Sequence, residues 1–108
     1  MREIKEPAQV IRRTSKGVYR GVDFYPNALY ANLVMLLARK NGTKVRSFRN
    51  EAQGYTVLLV PSYQPAYDDN FQKIQDAEQM IPSTMVLAID SVSEETARHI
   101  IAGFVEAK

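Results

Sequence analysis

"TMVLAID", residues 84–90, is the stretch whose reading decides the fold. It is a short apolar run between Pro82 and Ser91, and such a run reads as a strand buried on both faces. With that reading the chain ends its sheet here, and only a last helix remains. The segments before it then fall into a βαββαβ order.

Working outward, Asp69 with Gln72 three residues on forms a variant capping box, so a helix is expected over about 70–80, stopped by Pro82. After residue 90, Ser91 or Ser93 caps the final helix, and Ser91 with Glu94 fits a capping box. That helix carries Ala97, Ile100, Ile101, Phe104 and Val105 at helical spacing. Upstream, "YTVLLVPS" (55–62) is apolar on both faces and reads as a central strand. "TKVRSFR" (43–49) is a further strand. "AQVIRRT" (8–14) and "VYRGVDF" (18–24) form an N-terminal hairpin about the turn at Ser15-Lys16-Gly17, with Gly21 marking a bulge or an end.

Between hairpin and strands lies "NALYANLVMLLARK" (27–40). Pro26 suits a first helical position, Asn41-Gly42 ends the helix, and Arg39 and Lys40 complement its dipole. At 100° per residue, Leu29, Leu33, Leu36 and Leu37 share one arc that can pack on a sheet. Tyr30, Val34 and Met35 fall outside it. A helix apolar all round is buried all round. A second copy of the chain is therefore expected against Tyr30, Val34 and Met35, making a homodimer.

The whole, 1–108, reads as a single α+β domain: an open-faced sandwich with a ferredoxin-like βαββαβ core, an N-terminal hairpin and a C-terminal helix. One part of its pattern is shared with the RNA-recognition motif. In "QGYTVLLV" (53–60), Gly54 and Tyr55 fit that family's third strand. Thr56 and Val57 stand where a small residue and a second stacking aromatic belong, so membership is not assigned. The strand order is also similar to that of the phosphocarrier protein of the sugar phosphotransferase system. That chemistry needs a His opening the first helix, and "DFYPNALY" (23–30) has none.

The formal net charge of +2 hides an asymmetry. Residues 1–50 hold eleven Lys or Arg against three acids, a net +8, while residues 51–108 hold three against nine, a net −6. Such a split points to a basic surface for a polyanion, or to a dipolar molecule that packs on copies of itself. In "TKVRSFR", Lys44, Arg46 and Phe48 alternate onto one face, where cations can hold phosphates and the ring can stack a base. Arg12, Arg13, Lys16, Arg20 and Arg49 are expected to join them.

There is no Cys, which excludes a disulfide framework and a thiolate zinc site and fits a reducing, cytoplasmic setting. The opening "MREIKEP" has no apolar stretch behind it, so no secretory signal is expected. No apolar run is long enough to span a membrane. His99 is the only His and reads as a solvated helix residue. Asp68 and Asp69 read as helix-capping acids rather than metal ligands, and no phosphate loop or nucleophile elbow is present. No catalytic residue, cofactor or metal is therefore expected. The expected function is non-enzymatic nucleic-acid binding. The alternative is a protein-interaction module, a regulator or inhibitor docking through Tyr63 and Tyr67 of the loop 61–69 or through the first helix.

Overall fold

The computed structural model describes residues 6–108. Residues 1–5, with Arg2, Glu3 and Lys5 of the charge split, lie outside the described residues. A short 3-10 turn, Pro7–Gln9, leads into β1 (Ile11–Thr14) and β2 (Gly17–Tyr25). Then follow α1 (Ala28–Lys40), β3 (Arg46–Asn50), β4 (Tyr55–Pro61), α2 (Ala66–Gln79), α3 (Ser83–Asp90) and α4 (Glu94–Ala107). The four strands form one antiparallel sheet in the order β1-β2-β4-β3. The fold is α+β. The element order is ββαββααα, with a helix where the last strand of the βαββαβ core was expected.

The difference comes from TMVLAID, which is α3. Its burial explains why. Ile89 is buried and Met85 and Val86 are partly buried, while Thr84, Leu87 and Asp90 are exposed. This is the 3.6-residue period of a one-sided helix, and a strand buried on both faces would hide all seven residues. The Ser91 hydroxyl donates to the Ala88 carbonyl at 3.1 Å and closes the last turn.

Local boundaries follow the side chains that satisfy helix ends. Asn27, rather than Pro26, opens α1: its Oδ1 accepts from Leu29 N at 2.8 Å and Tyr30 N at 3.0 Å. Its Nδ2 donates to Asp90 at 2.7 Å and ties the start of α1 to the end of α3. Asn41 is the C-cap and Gly42 follows at φ +89°, as the Asn-Gly signal requires. The second helix starts earlier than expected, at Ala66, so Asp68 and Asp69 lie in its first turn instead of capping it. The final helix is capped by Ser93, whose hydroxyl accepts from Thr96 N, and not by Ser91.

The apolar character of α1 is answered within one chain. Leu33 and Leu37 are buried, and so are Ala31, Val34, Met35 and Ala38 on the other arcs. One side lies on the sheet. The rest is covered by α2, α3 and α4, which pack on α1 from behind and beside it. The expected dimer surface is corrected accordingly. Val34 is fully buried and Met35 is 8 % exposed within the single chain, and Tyr30 is half-buried against the Tyr25 ring at 5.8 Å. Of these three residues only Tyr30 keeps appreciable exposure on the surface of the single chain.

A β-bulge between Gly21 and Asp23 reverses the alternation of β2. Before it, Tyr19 faces away from the helices; after it, Phe24 does so and Tyr25 enters the helix-side core. Gly21 is needed there because a side chain would collide with the Pro7 carbonyl oxygen. The 3-10 turn is thus seated on the sheet surface, and Gly21 N donates to Val10 O at 2.8 Å.

Candidate nucleic-acid interface

Opposed residues in an antiparallel pair share a face. By register, Arg12 is opposite Tyr19, Tyr19 opposite Pro61, Leu59 opposite Arg46, and Val57 opposite both Phe24 and Phe48. These residues lie on the face away from the helices. There Tyr19, Val57 and Leu59 form a small second core, with Phe24, Phe48, Tyr55 and Val10 packed around it. A flat sheet would hold the edge strands β1 and β3 roughly 14 Å apart, at about 4.8 Å per strand interval. Arg12 is level with Pro61 and Phe48 with Val57, a further offset of roughly 14 Å along β4 at about 3.4 Å per residue. The Arg12 Cζ nonetheless lies 4.0 Å from the centroid of Phe48, so the sheet curls and its edges approach over this face. The Arg46 Cζ lies 5.0 Å from the Tyr19 centroid, and Phe24 and Tyr55 pack at 4.6 Å.

At one end of the sheet this face opens into a cleft of about 490 Å³. Its walls are the β1–β2 turn, the end of α1, the approach to β3 and the end of β4. Lys16, Arg39, Lys44 and Arg46 line it together with Tyr19 and Tyr63, and no carboxylate does. The turn holding Lys16 is built by Thr14, whose Oγ1 accepts from Lys16 N at 3.1 Å and donates to Gly17 O at 2.9 Å. Arg39 is placed by two hydrogen bonds, from Nε and Nη2 to the Val45 carbonyl at 3.2 and 2.9 Å. Among the described residues the ion pairs are Arg49–Glu51 at 3.7 Å and Arg98–Glu94 at 3.6 Å, so the cleft cations are not neutralised by carboxylates.

The eight cationic and aromatic residues expected to act together therefore divide. Lys16, Lys44 and Arg46 meet in the cleft, and Arg12 and Phe48 continue it along the sheet. Lys44 precedes β3 rather than belonging to it. Arg13 is exposed but alternates away from Arg12. Arg20 is turned elsewhere: its Nη1 donates to Ala8 O at 2.8 Å and its Cζ lies 5.9 Å from the Tyr67 ring. Arg49 faces the helix side, where Nη1 donates to Thr56 Oγ1 at 3.2 Å and Pro26 O at 3.3 Å. Arg39 was not foreseen as part of the site, since its place in the last turn of α1 already had a local explanation in the helix dipole. Phe24 was hidden by the bulge: unbroken alternation from Tyr19 puts it on the helix side, whereas the register shift brings it to the face of Phe48, both opposite Val57.

The loop tyrosines also divide. Tyr63 is 67 % exposed at the cleft mouth. Tyr67 is buried: its hydroxyl donates to Gly21 O at 2.7 Å and its ring packs near Phe71. The expectation that both project for a protein partner is corrected for Tyr67, which fastens α2 to the β2 bulge.

A second cavity of about 490 Å³ lies near the opposite end of β2, bordered by Asp23, Glu78 and Asp90 with Tyr25 and Tyr30. Burial pushes the Glu78 carboxyl above its ordinary value, and the neighbouring Asp23 adds to the rise; the hydrogen bond donated by the Tyr25 hydroxyl opposes it. Burial and then the Glu78 contact raise the Tyr25 hydroxyl in turn. A carboxyl raised on folding contributes stability below its unfolded value, near 4.3, and loses it as pH climbs through the folded value. Glu78→Gln keeps an oxygen for Tyr25 and removes the charge. Thermal unfolding should show a higher Tm for this variant at pH 8 and no gain at pH 4; an equal gain at both would rule out ionisation as the cause. Among the described residues no group of three or more His, Cys, Asp or Glu is placed to hold a metal ion, and no helix is long and apolar enough to cross a membrane.

Comparison with protein-family models, curated proteins and solved structures returns no match for this chain.

Proposed function

We propose that the chain is a non-enzymatic nucleic-acid-binding module that contacts phosphates through the cleft and the adjoining curled face. The observation that carries this reading is the gathering of Lys16, Arg39, Lys44 and Arg46 around one cleft with no carboxylate in its lining. Four cations held together repel one another, and an anion relieves that repulsion. Surface lysines kept only for solubility have no reason to converge. The cleft volume falls in the range of ligand sites, about 300–1,000 Å³, and suits a nucleotide-sized portion of a strand. Its continuation past Arg12, Phe48 and Tyr55 offers further length for a polymer.

Phosphate contacts release counterions, so binding falls with salt in proportion to their number. With about four contacts, affinity for mixed-sequence oligonucleotides should fall roughly 50- to 150-fold between 50 and 200 mM salt. Fluorescence anisotropy across a salt series measures this. No binding to DNA or RNA at low salt refutes the reading.

A further inference from the structure

We infer that the nucleic acid bound here is single-stranded, its unpaired bases stacking on the guanidinium groups of Arg12 and Arg46, each backed by an aromatic ring. This rests on the nucleic-acid reading above and specifies its ligand. Two stacks of the same kind occupy one face of the sheet: Arg12 on Phe48 at 4.0 Å and Arg46 on Tyr19 at 5.0 Å. Both separations lie within the roughly 6 Å over which a ring attracts a cation. In each pair the ring is the inner layer. Tyr19 is 6 % exposed and cannot meet a base directly, and Arg12 is exposed above the half-buried Phe48.

A guanidinium is planar and has two faces. The ring beneath each group restrains it, and a face turned away from the ring can take a flat ligand. Such a group stacks on aromatic surfaces while keeping its charge, and preorganisation spares it part of the entropy cost that a free side chain would bear. Among the described residues no carboxylate lies within ion-pair distance of either arginine, so no internal competitor holds them. In a duplex the base faces are already stacked on one another, and only a strand with unpaired bases can present them. Lys16, Arg39 and Lys44 at the cleft then hold the flanking phosphates, and Arg46 adds its charge to theirs while its plane meets a base.

Three probes test the inference in parallel: a labelled short oligothymidylate, the same oligonucleotide annealed to its complement, and inorganic polyphosphate as competitor. Arg12→Lys keeps the charge and loses the plane, and an exposed edge-strand position tolerates it. The wild-type protein is expected to prefer the single strand over the duplex. Polyphosphate of matched charge should compete poorly. Arg12→Lys should lose about tenfold in single-strand affinity, a typical size for one stacked base, with its salt slope and polyphosphate competition unchanged. Arg46→Lys should behave alike. Unchanged single-strand affinity in both variants, or equal binding of duplex and single strand, overturns the stacking inference and leaves the phosphate reading standing. Failure of the wild-type protein to bind any of the three at low salt overturns both.

Discussion

Lys44→Glu combined with Arg46→Glu is expected to lower affinity for oligonucleotides on the order of 100-fold at moderate salt, and to reduce the salt slope by about 2. Both side chains line the cleft, and reversal turns two of its four cations into anions facing the same phosphates. Each removed contact forgoes its counterion release, and each new carboxylate adds repulsion. The fold should tolerate the change. Lys44 is exposed and outside the sheet ladder. Arg46 contributes one stack on Tyr19, worth about 0.5–1 kcal/mol at a partly exposed site. Lys44→Glu alone touches no ring and serves as the control for folding. By contrast, Arg20→Glu should leave the salt slope unaltered, because Arg20 donates to the Ala8 carbonyl and does not line the cleft. Equal affinity of the double variant and the wild type would remove the cleft from the binding surface.

The second large effect concerns α1. Leu33→Ala is expected to cost about 2–5 kcal/mol, because Leu33 is fully buried and its neighbours come from sheet and helices that cannot all collapse into the void. Val34→Asp is expected to abolish folding. It places a carboxylate at a position with no exposure, and an unpaired buried charge costs several kcal/mol against a total stability of about 5–15 kcal/mol. The outcome separates the two ways of covering this helix. Burial by α2, α3 and α4 predicts loss of the folded chain at every concentration, read by circular dichroism. Burial by a second copy predicts a folded monomer instead, read by sedimentation.

Much of the site was legible in local pattern. Alternation in "TKVRSFR" put Lys44, Arg46 and Phe48 on one face; Arg46 and Phe48 share it within β3, whereas Lys44 precedes the strand, and only the pairing of β1 with β2 chose Arg12 over Arg13. What alternation could not show was that Arg20 and Arg49 would spend their hydrogen bonds on backbone carbonyls of the turn before β1 and of Pro26, far away in sequence. Nor could it show that the end of α1 would bring Arg39 beside Lys16. The fold was legible to the same depth. The hairpin, the strands at 43–49 and 55–62 and a helix within 27–40 were readable, and the seven residues of TMVLAID were not, because a short apolar run has the same local appearance in a strand and in a buried helix.

By itself, the sequence determined the elements whose signals lie within a few residues of one another. These include the existence of α1 and its Asn41-Gly42 stop, the alternation that pairs Arg46 with Phe48, and the excess of positive charge before residue 50. Only the tertiary structure decided that 84–90 is a helix, that three helices of the same chain enclose α1, and that four particular cations share one cleft. The physical reason is range. Capping and alternation act over one turn or one pleat, whereas burial and charge convergence depend on which distant segments the chain brings into contact.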